Sequence, residues 1–298
     1  MKKRILLTGA TGYIGSNLLK KLLKDTNFNI IALYNNSLPE NIDNGVTWIK
    51  YTGEYSSLKD IDENIDIIIH LATYFTTAHS PENVSKIINA NVLFGTHLLE
   101  FARQNNINKF INTSTFAQSI DNSTYNPQNF YTSTKQAFES ILMYYTESGL
   151  INNITISLSD TYGPGDNRPK FINLLIEALG KDVVFNMSPG NQEVRYVHVN
   201  DVVDSYLVAI ELLMENIINK SKTFSVSGIE PFTLNELVNL VSKVAGKKIE
   251  TNPGFYPYRE REIMKCFPKF EILPDWKPSI KLSDGIKQII QINESNKH

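Results

Sequence analysis

The chain has 298 residues, a formal charge of −2, 42% hydrophobic and 20% charged residues, and one cysteine. That balance fits a globular protein with chain enough for a large core, and it excludes a disordered chain. Without a basic field nucleic acid is excluded as a partner, and the lone Cys266 excludes a disulfide framework and fits a reducing compartment.

Met1-Lys2-Lys3-Arg4 leads into Ile5-Leu6-Leu7, an apolar run too short for a signal peptide. No run of about eighteen apolar residues follows, so the expectation is a cytoplasmic protein without a membrane span. Ile5 to Leu7 predicts a buried strand, Tyr13 to Lys24 a helix and Asn29 to Tyr34 a second strand. Ile65 to Leu71, apolar but for Asp66 and His70 and centred on Ile67-Ile68-Ile69, predicts a strand covered on both faces. Ser80-Pro81-Glu82 starts a helix with a capping hydroxyl, Pro in the first turn and an acid at the positive end of the dipole. Val84, Ile87, Ile88, Val92, Leu98, Leu99 and Ala102 keep its apolar stripe. Lys109 to Thr113 predicts a strand, Phe130 to Ser148 a helix ended by Gly149, and Ile154 to Leu158 a further strand.

Strict alternation of strand and helix predicts an α/β fold with a doubly wound parallel sheet. Gly163-Pro164-Gly165-Asp166 breaks the pattern, and a smaller lobe begins there. The helix Asp201 to Leu213 and the strand Thr223 to Val226 are expected to return to the sheet.

Thr8-Gly9-Ala10-Thr11-Gly12-Tyr13-Ile14-Gly15 lies between the first strand and the first helix. Its three glycines allow a tight turn, bring backbone N–H groups up to a pyrophosphate and let the helix pack closely on the strand. Gly9, Thr11, Gly12, Tyr13, Ile14 and Gly15 are therefore candidate dinucleotide contacts. Folds of this kind place an acid at the end of the second strand for the adenosine ribose, where this chain has Asn35, Asn36 and Ser37. No carboxylate repels a 2′-phosphate and no Arg attracts one, which favours NADP(H) with NAD(H) still open. The expected division is a dinucleotide-binding Rossmann domain over 1–160, rejoined by 201–228, and a smaller α/β lobe over 161–298 that binds substrate.

Tyr131 and Lys135 stand four apart, on one helix face. Tyr55 and Lys59 share that spacing but lie in a polar connection, so context separates the pairs. Tyr131 opens a long helix that follows a strand ending in Thr113-Ser114-Thr115, so hydroxyl, phenol and ammonium can meet at the strand's carboxyl end. Reducing a ketone leaves an alkoxide that needs a proton, and a nearby cation brings a phenol closer to that task. On this reading Tyr131 is the acid, Lys135 the cation, and Thr115 orients the carbonyl oxygen.

On these residues the chain resembles the extended short-chain dehydrogenases of the sugar-nucleotide epimerase, dehydratase and reductase group over nearly its whole length. His70-Leu71-Ala72-Thr73, Asn91 to Thr96, Tyr162 to Asp166, Arg195 to Asp201 and Trp276-Lys277-Pro278 also match that group. Within it the chain is most similar to CDP-abequose synthase-like and dTDP-4-keto-6-deoxyglucose 4-ketoreductases, through Asn112 to Phe116, Gly190 to Arg195 and Arg259 to Met264. The resemblance implies Thr115, Tyr131 and Lys135 as catalytic residues. It further implies Leu71, Ala72, Thr73, Asn91 and Thr113, with Tyr131 and Lys135, at the cofactor. Thr115, Asp160, Arg195 and Arg259 would meet a CDP- or dTDP-linked sugar, the arginines gripping its diphosphate, with Arg261 able to replace Arg259. A homodimer through the Asn91 and Tyr131 helices is implied as well.

Two departures from the group narrow the activity. Dehydratases follow the catalytic Thr with an Asp-Glu pair, whereas Phe116 and Ala117 here transfer no proton. Asp160 replaces a common Asn and offers acceptors only. The expected function is an NAD(P)H-dependent 4-ketoreductase of a nucleotide-linked 4-keto-6-deoxy or 3,6-dideoxy hexose in bacterial surface-polysaccharide synthesis. An NAD-dependent nucleotide-sugar 4-epimerase, which needs the same trio, is the alternative. His70, His79, His97, His198 and His298 lack metal-ligand spacing, so no metal is expected. Met143, Tyr144 and Tyr145 read as core or dimer contacts.

Overall fold

Ile5, Leu6 and Leu7 are fully buried, as a strand covered on both faces requires. They belong to β1 (Lys3–Thr8), the first of a series that the chain builds in order. The computed structural model describes residues 2–36, 38–39, 45–61, 64–76, 80–121, 123–181 and 183–295, so the expectations for Ser37, His79 and His298 lie outside the described residues. After β1 come α1 (Tyr13–Leu22), β2 (Phe28–Tyr34), β3 (Val46–Lys50), β4 (Ile67–His70), α2 (Pro81–Ile88), α3 (Phe94–Gln104), β5 (Lys109–Thr115), α4 (Phe130–Glu147) and β6 (Asn152–Leu158). Beyond them lie β7 (Asp160–Tyr162), α5 (Phe171–Ala178), β8 (Phe185–Met187), β9 (Glu193–Val194), β10 (Tyr196–His198) and α6 (Val199–Met214). The chain then forms β11 (Ser221–Val226), β12 (Phe232–Thr233), α7 (Leu234–Ala245), β13 (Thr251–Pro253) and α8 (Leu282–Ser295).

Seven strands run parallel in the order β11-β6-β5-β4-β1-β2-β3, a doubly wound Rossmann sheet. Because side chains alternate along a strand, Ile5 and Leu7 pack with α1 and α6, while Leu6 packs with α3 and α4. Strand order reverses between β1 and β4, so the crevice at their carboxyl ends is where such sheets hold ligands. β3 is a strand that the sequence reading did not anticipate. It lies at the sheet edge with no fully buried residue, and so carries little of the apolar signal that marked its neighbours.

The helix begun at Ser80 is capped as expected, Asn83 N–H donating to Ser80 Oγ at 3.3 Å. It runs through a π-helical turn at Asn89–Leu93 before continuing as α3. The inserted residue rotates the apolar stripe, leaving Val84 and Ile88 partly exposed while Leu98, Leu99 and Ala102 are buried. On α4, Tyr145 is buried but Met143 and Tyr144 are exposed.

A third cluster of buried side chains, including Tyr162, Ile172, Leu175, Leu237, Val241 and Ile286, forms the smaller α/β lobe. The lobe contributes three two-stranded pairs, β10 with β7, β12 with β9, and β13 with β8. Asp201 near the start of α6 fastens the carboxyl-terminal segment. Its carboxylate accepts from Ser279 N–H and Oγ and from Ile280 N–H, and Trp276 Nε1 donates to its carbonyl at 2.8 Å. These contacts account for the Asp201 and Trp276 motifs as structural fastenings.

Candidate active site

Gly9 adopts φ +71°, and a Cβ there would come within 2.6 Å of Ala72 N. A Cβ on Gly15 would come within 2.0 Å of Gly9 O, so α1 can reach the turn only with glycine at that position. Gly12 caps α1 with no side-chain hydrogen bond, which leaves first-turn N–H groups free for an anion near Thr11, Tyr13 and Ile14. The turn is braced from β4: Thr8 Oγ1 and His70 Nδ1 share a 2.8 Å hydrogen bond, and Ala72 N–H donates to Thr8 Oγ1 at 3.1 Å. Burial holds the His70 imidazole down at about 3, so the ring is neutral. Asn35 and Asn36 are exposed just after β2.

Leu71, Ala72 and Thr73 leave β4 along the same crevice. Asn91, buried in the π-helical turn, secures them. Its Oδ1 accepts from Thr73 Oγ1 and Tyr74 N–H, and its Nδ2 donates to Tyr74 O and Thr134 Oγ1. Those four bonds engage both ends of the amide, so Asn91 acts on the crevice through residues 73–74. Thr113 is likewise engaged, its hydroxyl sharing a 2.6 Å hydrogen bond with Tyr206 Oη on α6.

Asn129 caps α4, accepting from Thr132 N–H at 3.0 Å, and so places Tyr131 in the first turn. The ring of Phe75 packs edge-on against Tyr131 at 4.9 Å. Thr115 ends β5 and caps a short turn over Phe116–Gln118. Lys135 is 3% exposed and has no hydrogen-bond partner among the described residues. Burial draws its ammonium down to about 8, opposed by the Glu139 carboxylate. No hydrogen bond among the described residues joins Thr115, Tyr131 and Lys135 to one another.

The electrostatics of the phenol differ from the sequence expectation. Burial raises Tyr131, and the groups that pull it back are the Thr73 hydroxyl and the Arg168 guanidinium, not Lys135. Sequence reasoning passed over Arg168. It grips the fully buried carboxylate of Asp166 through Nε at 2.6 Å and Nη2 at 2.7 Å, and stacks 4.7 Å over the Tyr13 ring. Tyr13 Oη in turn donates to Pro164 O at 3.3 Å, so the Gly163-to-Asp166 break closes over the glycine turn. Its position two residues past that break was the only available signal.

On the lobe side, Asp160 pairs with Lys170 at 3.6 Å. Arg195 Nη1 donates to the carbonyls of Gly228 and Ile229, while its buried Nε has no partner among the described residues. A cleft lined by Arg195, Phe116, Ser159, Ser227, Phe267 and Lys269 adjoins it. The Arg259 backbone N–H donates to Glu262, and the residue is exposed. Arg261 is committed elsewhere, donating to Pro127 O at 2.8 Å and to Asn126 Oδ1.

A parallel sheet with a glycine turn at its switch point and a Tyr–Lys pair on the neighbouring helix defines an oxidoreductase-type enzyme that uses a nicotinamide dinucleotide. The turn that no Cβ would fit and the buried Lys135 both suit such a cofactor. Residues 5–220 match the model of the NAD dependent epimerase/dehydratase family, and the chain belongs to that family. It is 27% identical over 300 residues to CDP-abequose synthase of Salmonella typhimurium, with 98% of each chain covered. Among solved structures it is similar to UDP-glucose 4-epimerase of Thermotoga maritima with UDP-glucose, at TM-score 0.83 and 20% identity, covering 99% of this chain and 100% of that one. UDP-glucuronic acid 4-epimerase of Bacillus cereus with UDP-glucuronic acid and NAD gives TM-score 0.83 at 21% identity, covering 98% and 99%.

Proposed function

We propose that the protein is an NAD(P)H-dependent 4-ketoreductase of a nucleotide-diphosphate-linked 4-keto-6-deoxy or 3,6-dideoxy hexose, acting in the cytoplasm in surface-polysaccharide synthesis. The observation that carries this reading is the site's inventory. Tyr131 and the buried Lys135 share α4, and Thr115 is followed by Phe116 and Ala117, so carbonyl reduction has its residues and dehydration does not. Similarity to CDP-abequose synthase across 98% of both chains supports the substrate class.

When bound, the nicotinamide supplies the hydride. Tyr131 gives its phenolic proton to the oxygen at C4, and Thr115 hydrogen-bonds the same oxygen. A positioned acid of this kind contributes on the order of 10²–10⁴ in rate. Lys135 would hold the cofactor's ribose hydroxyls, and the first turn of α1, with Gly9, Gly12 and Gly15, its pyrophosphate. Arg195, with its free Nε, is assigned to the substrate diphosphate, with Arg259 joining it and Asp160 at the sugar. The dinucleotide is assigned to 1–160 with 201–228, and the sugar nucleotide, CDP- or dTDP-linked, to 161–298. Asn35 and Asn36 in place of an acid favour NADP(H); the family's description favours NAD(H).

A 4-epimerase is the second reading, favoured by the UDP-sugar 4-epimerases among the structural neighbours. One experiment separates the two. The purified protein is offered NADPH or NADH with CDP- and dTDP-4-keto-6-deoxyglucose. Stoichiometric loss of reduced-nicotinamide absorbance supports the reductase, and tightly bound NAD without net consumption overturns it. We also assign a homodimer to the face built by α2, α3 and α4, on which Val84, Ile88, Leu93, Met143 and Tyr144 are each exposed, and a monomer in sedimentation would refute that.

A further inference from the structure

The turn after β5 joins two parts of the site that share no direct hydrogen bond. Gln118 closes that turn and is 7% exposed. Its Oε1 accepts from the backbone N–H of Thr115 at 3.4 Å and from the hydroxyl of Ser114. Its Nε2 donates across to α4, to Gln136 Oε1 at 3.0 Å and Glu139 Oε2 at 3.1 Å. Those acceptors lie one and four residues beyond Lys135. The other carboxylate oxygen of Glu139 is buried without a partner among the described residues.

We propose that Gln118 is a positioning residue, whose amide holds the strand end carrying Thr115 in register with the helix carrying Tyr131 and Lys135. This rests on the ketoreductase reading above and adds a residue to it. A carboxamide is the side chain of this length that accepts at one atom and donates at the other. Glutamate would keep the β5 contacts but set one carboxylate against another at Glu139. Backbone bonds brace the same turn independently, Asn126 N–H to Gln118 O and Gln128 N–H to Ala117 O, both at 3.0 Å. The fold therefore does not depend on the amide, whereas the spacing of Thr115 from α4 does.

The test is a cycle of Gln118→Glu, Glu139→Gln and the double variant, in which the donor and the charge exchange places. Gln118→Glu is expected to lower kcat on the order of 10²-fold, as a displacement near 1 Å does, with KM and cofactor affinity within about threefold. The double variant should recover at least about tenfold of that loss, because the amide moved onto α4 can donate to the carboxylate moved onto the turn. Unchanged kcat in Gln118→Glu, a loss shared equally by KM and cofactor affinity, or no recovery in the double variant would overturn the proposal. Thermal unfolding of the four proteins needs no substrate, and non-additive shifts are expected; additive shifts would defeat the clamp alone. A wild-type chain that turns over no keto-sugar nucleotide would instead defeat the functional reading and leave the melting cycle to decide on Gln118.

Discussion

Lys135→Met should stabilise the nucleotide-free protein at pH 7 while destroying its activity. Wild-type Lys135 is 3% exposed as a residue, makes no hydrogen bond among the described residues, and its ammonium is drawn from 10.5 to about 8 by burial. At about 1.4 kcal/mol per tenfold, that difference amounts to about 3 kcal/mol set against the fold at neutral pH. The native chain releases its proton first on going alkaline. Wild-type stability therefore rises between about pH 8 and pH 10.5, where the unfolded chain still holds the proton. Methionine carries no proton and shows no such rise. The figure already contains the opposing pull of Glu139, and for a chain of this size it corresponds to roughly 6 °C in Tm. The assay is thermal unfolding of both proteins, without nucleotide, at pH 7 and about pH 10. A Lys135→Met variant that melts below wild type at pH 7, or a gap of equal size at both pH values, would refute the reasoning.

Tyr131→Phe should cost on the order of 10²–10⁴ in kcat while leaving cofactor affinity nearly intact, read by steady-state kinetics beside fluorescence titration. Equal losses in both would make the phenol structural. Asn91→Ala removes four hydrogen bonds and strands the N–H and carbonyl of Tyr74, so a loss of about 3 kcal/mol is expected in denaturant unfolding. A loss below about 1 kcal/mol would show that residues 73–74 hold their place without it. Asn35→Asp should weaken NADPH relative to NADH by about tenfold or more, through repulsion of the 2′-phosphate; an unchanged ratio would remove Asn35 from the cofactor edge.

The parallel sheet and the glycine turn were legible because each leaves a mark along the chain. Ile5–Leu7 and Ile67–His70 are buried throughout, and Gly9 and Gly15 occupy places where a Cβ would collide. Tyr131 and Lys135 were legible through spacing plus the strand that precedes them. What escaped was set by contacts distant in sequence. β3 is an edge strand whose side chains all stay partly or fully wet, and the π-helical turn at Asn89–Leu93 leaves no periodic trace shorter than a full register slip. Arg168 affects the phenol only because Asp166 aims it across Tyr13, a pairing invisible until the segments meet. Equally invisible along the chain were the bonds of Asn91 to Thr134 and of Thr113 to Tyr206, which form only once the segments meet.

The same contrast bears on how this site can change activity without changing its fold. The groups proposed to react or to hold the cofactor come from separate segments: Thr115 from a strand end, Tyr131 from a helix start, and the glycine turn from the first crossover. Segments around them are held by polar side chains, Asn91 for residues 73–74, Asn129 for the start of α4, and Asp166 for Arg168. A buried amide whose two ends are both engaged fixes position more sharply than apolar packing does, because any shift strands a polar group at about 1–3 kcal/mol. Loosening therefore arises most readily where a buried polar atom is unpaired, and among the described residues Arg195 Nε is such an atom at the assigned substrate position. Substitutions that tune affinity or cofactor choice should consequently be tolerated beside Arg195 and Asn35, and should fail at Asn91, whose amide is buried and engaged at both ends.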